Sequence, residues 1–113
     1  MPFINTKTNI AISEEQERIL KTELGKAVSV IGKSEPWLMV NFEDQQRLYF
    51  KGDNRLPTVF IEVKIYGKSS PENYSALSAK ITQIYSDVLK VPSDRIYIAY
   101  FETENWGWNG SNF

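Results

Sequence analysis

Residues 58–66 read TVFIEVKIY, residues 71–89 read PENYSALSAKITQIYSDVL, and residues 95–101 read RIYIAYF. In the first segment Val59, Ile61, Val63 and Ile65 alternate with Phe60, Glu62, Lys64 and Tyr66. That period of two is a strand with one packed face and one mixed face. In the second, Tyr74, Leu77, Ile81, Ile84 and Val88 recur every three or four positions and form one apolar stripe. Ser70 supplies a cap, Pro71 stands where its missing N–H costs nothing, and Pro92 closes the run. The third segment is β-branched and aromatic. The order is strand, helix, strand.

Working outward, the same grammar appears upstream. Residues 3–9 (FINTKTN) form a first strand. Ser13 opens a helix with Gln16 three residues on, as a capping box requires. Leu20, Leu24, Ala27, Val28 and Ile31 share a face and Gly32 ends the run, which predicts a helix over 14–31. Pro36 precedes a second strand at 37–43 (WLMVNFE). The stretch 44–57 is polar and punctuated, with a short strand at 47–50 (RLYF) as a further candidate. The tail, NWGWNGSNF, reads as a turn with a short edge strand. At an offset of 59 residues Ser34-Glu35 aligns with Ser93-Asp94, Phe42 with Phe101, and Glu43 with Glu102. The chain therefore reads as an α+β fold of duplicated β-α-β units, a four-stranded sheet with two helices on one face. The other face carries aromatic and branched residues, and copies of the same chain are its simplest cover.

A length of 113 residues predicts a single domain over 1–113, and 42% hydrophobic residues exclude disorder. Fourteen acidic and thirteen basic residues are mixed along the chain, so nucleic acid is not an expected partner. There is no cysteine and no histidine. Disulfides, thiolate nucleophiles, Cys or His zinc ligands and a Ser-His-Asp triad are excluded. No stretch reaches transmembrane length, and MPFINTKTNI lacks the features of a signal peptide. Membrane insertion is not expected, and cytoplasmic synthesis is the default.

Without histidine, another group must move protons near neutral pH. Removal of Met1 before a residue as small as Pro2 would leave a secondary amine. An ordinary α-amine has a pKa of about 8. Burial and a nearby cation both favour its neutral form. Lys33, just after the helix-ending Gly32, is suited to a substrate carboxylate, or simply to solvent at a helix C-terminus. Tyr97 suits a hydrogen bond or ring stacking. Trp37, Tyr66, Trp106, Trp108 and Phe113 suit a ring-binding pocket or plain packing. Gly32-Lys33-Ser34 lacks the earlier glycine and the preceding strand of a phosphate loop.

Taken together, the Met1-Pro2 start, Thr8-Asn9, Gly32-Lys33 before an aromatic strand, Asp44-Gln45, and Phe50 with Gly52 form a pattern. The run Ser93-Asp94-Arg95-Ile96-Tyr97-Ile98 and Gly107-Trp108-Asn109 with Phe113 complete it. The sequence resembles the macrophage migration inhibitory factor family of the tautomerase superfamily over essentially its whole length. That resemblance implies a homotrimer of βαββαβ subunits around a central channel, with active sites between neighbours. It implies phenylpyruvate or dopachrome-type tautomerase activity on a small aromatic 2-keto acid, with no cofactor and no metal. Pro2 matches the family's catalytic base and Lys33 its substrate-binding lysine. Tyr97 matches a tyrosine reaching in from the adjacent subunit. Tyr66 stands where an isoleucine donates its backbone N–H to substrate, Trp37 at the pocket mouth, Trp106 on its wall and Phe113 at its rim. The alternative is a secreted, cytokine-like protein that binds a cell-surface receptor, exported without a signal peptide. Ala99 replaces a frequent asparagine, Tyr66 and Trp106 are bulkier than usual, and Thr58-Val59-Phe60-Ile61 replaces a Cys-x-x-Cys motif. These departures bear on pocket specificity, and they remove thiol-disulfide chemistry.

Overall fold

Helix α1 (Glu14–Ala27) begins at a complete capping box. The Ser13 hydroxyl accepts from the Gln16 N–H at 3.1 Å, and the Gln16 side chain accepts from the Ser13 N–H at 2.9 Å. The computed structural model describes residues 1–113. The helix expected over 14–31 tightens at its end, where Val28–Ile31 form a 3₁₀ turn. Three of those four residues are β-branched and hold an α-helix poorly. The tightened turn still buries Val28 and Ile31 beside Leu20, Leu24 and Ala27. Gly32 then takes φ 74°, the left-handed conformation that glycine adopts without strain. Helix α2 (Pro71–Leu89) has the expected bounds, and the Ser70 hydroxyl accepts from the Asn73 N–H at 3.1 Å. It stops at Lys90, with φ 60°, before Pro92 is reached.

Four strands form one sheet: β1 (Pro2–Thr8), β2 (Met39–Glu43), β3 (Val59–Tyr66) and β4 (Ile96–Thr103), in the order β2-β1-β3-β4. Strands β1 and β3 are antiparallel at the centre, and β2 and β4 run parallel to them outside. This is the duplicated βαβ arrangement with both helices packed on the sheet. Several expected edges shift. Strand β2 starts two residues late, because Pro36 sits in a 3₁₀ turn over Glu35–Trp37. Residues 47–50 form no strand. Phe50 instead bridges to Asp53 around Lys51-Gly52, both at positive φ, so the segment closes on itself. The tail does not pair with the sheet. It makes its own hairpin, β5 (Gly107–Trp108) with β6 (Ser111–Asn112), around Asn109-Gly110 at φ 53° and 92°. Asn-Gly is the pair that such a two-residue turn favours.

Alternation along the strands sorts the side chains. Ile4, Val59, Ile61, Val63 and Ile65 face the helices and are at most 1% exposed. They pack with Leu20, Leu24, Leu77, Ile81 and Tyr85. The polar groups on this side are paired. The Thr6 hydroxyl bonds that of Tyr85, and Thr8 donates to the Thr58 carbonyl at 2.8 Å. The opposite face has a central polar row. Asn5 donates to Glu43 at 2.7 Å and to Glu62 at 3.1 Å, and accepts from Asn41 at 2.8 Å. Around it stand Met39, Tyr97 and Phe101, at 67%, 58% and 46% exposure.

The strand register also corrects the internal alignment. Phe42 packs against the core, whereas Phe101 lies opposite Lys64 on the open face. An offset of 59 therefore pairs residues of opposite faces. Thr6 pairs with Phe42 and Val63 with Tyr100, so a correspondence that keeps the faces needs an even offset between β2 and β4. No helix is long and apolar enough to cross a membrane.

Candidate functional site

The start of β1 is held at the far end of β3. Pro2 is buried and pairs with Ile65, so Met1 lies beside Tyr66. The Tyr66 N–H donates to the Met1 carbonyl at 3.2 Å. Lys33 reaches the backbone of the same residue. The left-handed turn at Gly32 folds the chain back, and the Lys33 N–H bonds the Val28 carbonyl at 3.0 Å. The Lys33 Nζ then donates to the Tyr66 carbonyl at 2.9 Å. An ammonium carries three donors, so this bond leaves Lys33 two for other partners. Burial, and secondarily the charge of Lys33, holds the Met1 α-amine below its ordinary value of 8.0. The surroundings of the chain start therefore favour a neutral amine.

Aromatic rings gather around this point. The Phe113 ring lies 5.0 Å from that of Tyr66, and the Phe113 N–H donates to the Trp106 carbonyl at 3.2 Å. Trp37 meets Trp108 edge-on at 5.6 Å. A cavity of about 370 Å³ opens on the uncovered sheet face, lined by Phe3, Met39, Phe101 and Trp106. Lys64, Glu102 and Thr103 complete its wall. The Glu102 carboxylate is already engaged, since it accepts from the Tyr74 hydroxyl at 2.5 Å and from the Ser69 N–H at 3.4 Å. Burial and that contact push the Tyr74 hydroxyl up to about 12. A depressed amine, a half-buried lysine and the Tyr66 and Phe113 rings suit proton transfer on a small carboxylate, while the lining of the 370 Å³ cavity includes none of Met1, Pro2, Lys33, Tyr66 and Phe113. No three His, Cys, Asp or Glu side chains gather as metal ligands would.

Tyr97 is not part of this cluster. It pairs with Phe60 while Pro2 pairs with Ile65, a separation of five residues, or roughly 17 Å along the strand. Its ring is held between Phe50 at 5.0 Å and Phe60 at 6.4 Å, both edge-on. Behind them, buried Arg95 donates to the Pro57 carbonyl at 3.1 Å, to the Thr58 hydroxyl at 2.6 Å and to the Asp53 carbonyl at 3.3 Å. Its guanidinium lies 5.2 Å from the Phe50 ring. One chain thus brings together Pro2, Lys33, Tyr66 and Phe113, places Trp106 on the wall of the open-face cavity and Trp37 against Trp108, and leaves Tyr97 at the opposite end. Sequence reasoning missed Lys64 and Met39. The alternation of 58–66 already put Lys64 on the face of Tyr66. Nothing in the sequence signalled that Met39, from a separate strand, would lie across from it.

The geometry has counterparts among known proteins. The chain is 30% identical to the macrophage migration inhibitory factor of Mus musculus over 118 residues, covering 100% of this chain and 99% of the relative. It is 28% identical to that of Meriones unguiculatus over 115 residues, with the same coverage. Among solved structures, the MIF2 protein of Leishmania major superposes with a TM-score of 0.93 at 27% identity, covering 100% of this chain and 97% of that one. The macrophage migration inhibitory factor homologue from Prochlorococcus marinus gives 0.88 at 27% identity, covering 98% of each. The family model of macrophage migration inhibitory factor matches residues 1–113. The chain belongs to the macrophage migration inhibitory factor family, within the tautomerase superfamily.

Proposed function

We propose that the chain, once Met1 is removed, catalyses keto-enol tautomerisation of small aromatic 2-keto acids of the phenylpyruvate and dopachrome type, with the Pro2 amine as general base. One observation carries this reading: the Met1 carbonyl takes up the Tyr66 N–H beside Lys33. Loss of Met1 creates the Pro2 amine and frees that N–H in a single step. A substrate carboxylate then has a backbone donor and a cation where the Met1 carbonyl lay.

The steps balance without a cofactor. The neutral Pro2 nitrogen removes a proton from the carbon next to the ketone, and the electron pair moves to the ketone oxygen. The protonated amine returns its proton to that oxygen, giving the enol. Lys33 and the Tyr66 N–H hold the carboxylate, and Trp37, Tyr66, Trp106 and Phe113 hold the aryl group. Tyr97 stands too far away in its own chain, so it serves the site of a neighbour in a homotrimer. The exposed Met39, Tyr97 and Phe101 on the open sheet face support such an assembly.

The test is a phenylpyruvate assay on protein shown by intact mass to begin at Pro2, beside Pro2→Gly and a form retaining Met1. A positioned general base contributes about 10²–10⁴-fold; a loss of that order is expected in the form retaining Met1, and a smaller one in Pro2→Gly, which keeps a primary amine at the chain start. Equal rates in all three would exclude the amine. For the active form kcat/KM rises with pH as the amine loses its proton. Burial and the charge of Lys33, which lower the Met1 α-amine at this place, act on the Pro2 amine in the same direction, so that rise falls at lower pH than for an exposed prolyl amine.

A further inference from the structure

The tip of the β5–β6 hairpin is Asn109-Gly110. Among the asparagines of the chain this is the one that glycine follows. The others precede Thr, Ile, Phe, Arg, Tyr or Trp, whose side chains crowd the next backbone nitrogen. Side-chain hydrogen bonds hold the amides of Asn5, Asn9, Asn41 and Asn73, whereas the Asn109 amide is free and both tip residues are exposed. The Gly110 N–H lies outside the paired rungs, Gly107 with Asn112 and Trp108 with Ser111. A Cβ placed on Gly110 would meet no atom within 4 Å, so a ring formed there has room. A free carboxamide beside an unhindered backbone nitrogen is an intramolecular pair of reactants. A hairpin this short is marginal on its own, and Asn109 sits at φ 53°, so the tip opens readily to the conformers that attack requires.

We propose that Asn109 is a site of spontaneous deamidation, and that isoaspartate at this position unseats the rings that the hairpin lays against Trp37 and Tyr66. The Gly110 nitrogen gives its proton to hydroxide and attacks Asn109 Cγ. The N–Cγ bond forms, the Cγ–Nδ2 bond breaks, and ammonia leaves. Water then opens the cyclic imide. Attack at Cγ gives aspartate on the ordinary backbone. Attack at the main-chain carbonyl carbon gives isoaspartate, whose backbone runs through Cβ and Cγ and is one carbon longer. No electrons are transferred, and water is the co-reactant. The lengthened loop no longer matches a two-residue turn, so the rung of Trp108 with Ser111 is lost. That rung holds Trp108 edge-on to Trp37 at 5.6 Å, and the strand beyond it brings Phe113 to Tyr66 at 5.0 Å.

The test ages protein beginning at Pro2 at mildly alkaline pH and samples it over days. Peptide mass should show ammonia lost and water gained at Asn109, faster as pH rises, and an isoaspartyl methyltransferase should label the product. Near-ultraviolet circular dichroism reads the Trp37–Trp108 contact and should decay as label accumulates. Asn109→Gly keeps a turn-forming pair and should abolish both changes. Fresh Asn109→Asp carries the new charge on an ordinary backbone and should keep the spectrum. An unmodified Asn109 after ageing, isoaspartate with an unchanged spectrum, or a spectrum already lost in fresh Asn109→Asp would overturn the inference. In the isoaspartate form KM for phenylpyruvate should rise roughly two- to tenfold, the scale of one ring–ring contact. This last readout alone rests on the keto-acid reading. Fresh protein without turnover would sink that reading and leave mass and spectrum to decide Asn109, whereas an unchanged KM in active, modified protein would sink the link from hairpin to site.

Discussion

The two faces of the sheet are made from alternate residues of the same strands, yet they follow different rules. Toward the helices, Ile4, Ile61, Val63 and Ile65 are closed off, and the polar groups among them find partners inside the chain. Burial raises the Tyr85 hydroxyl above its ordinary value, so it stays neutral and serves as a hydrogen-bonding group. On the other side, large apolar side chains stand open around a row of amides and carboxylates that satisfy one another. The first face is complete when one chain has folded. The second is half of something, and the groups proposed for chemistry sit on it or at its rim. Only 22 of 113 residues are buried, so one chain leaves much apolar area for assembly to use.

Substitutions should separate the two faces. The largest effect is expected at Ile61, which is 0% exposed. Ile61→Ala should lower stability by about 2–5 kcal/mol in urea unfolding, through lost transfer energy and a residual cavity. A cost under about 1 kcal/mol would mean that the helix-covered face is not the closed core described. The next effect falls on the open face. Phe101→Ala should leave the far-UV spectrum unchanged but weaken assembly by about 1.5–3 kcal/mol per chain, the worth of burying an aromatic ring. Sedimentation of a dilution series would show it. A monomeric unaltered protein would break the comparison at its root, since the open face would then have no partner of its own kind.

The sequence carried the first face better than the second. Strand and helix periods are local, and α2 falls where the 71–89 stripe put it. The slips occur where local signals compete. Three β-branched residues turn the end of α1 into 3₁₀, and a closed turn at Lys51-Gly52 wins over a strand at 47–50. The 59-residue alignment joined opposite faces because side-chain identity says nothing of which face a strand presents. The site was legible in part. Pro2 and Lys33 stand out by chemistry in a chain without histidine, and the resemblance supplied their roles. The open-face cavity was not legible, because it needs Phe3, Met39 and Phe101 from three strands to meet. The masking of the Tyr66 N–H by Met1 was equally invisible, because it is a backbone contact.

The smallest expected effect is the one that reads the comparison most directly. Losing the Tyr97 hydroxyl removes one hydrogen bond, worth about 0.5–1.5 kcal/mol, so Tyr97→Phe should raise KM several-fold with little change in stability. The size alone does not say which chain the tyrosine serves. Mixing does. Chains that retain Met1 have an amide in place of the base but present an intact Tyr97, and chains carrying Tyr97→Phe begin at an intact Pro2. If sites form between copies, refolding the two together creates some that have both native groups, and a low-KM component returns that neither variant shows alone. If each site lies within one chain, no mixture can unite them, and the kinetics remain the sum of the two variants. Because roughly 17 Å of strand separates Pro2 from Tyr97, recovery in the mixture would require the open face of one chain to meet the rim of another.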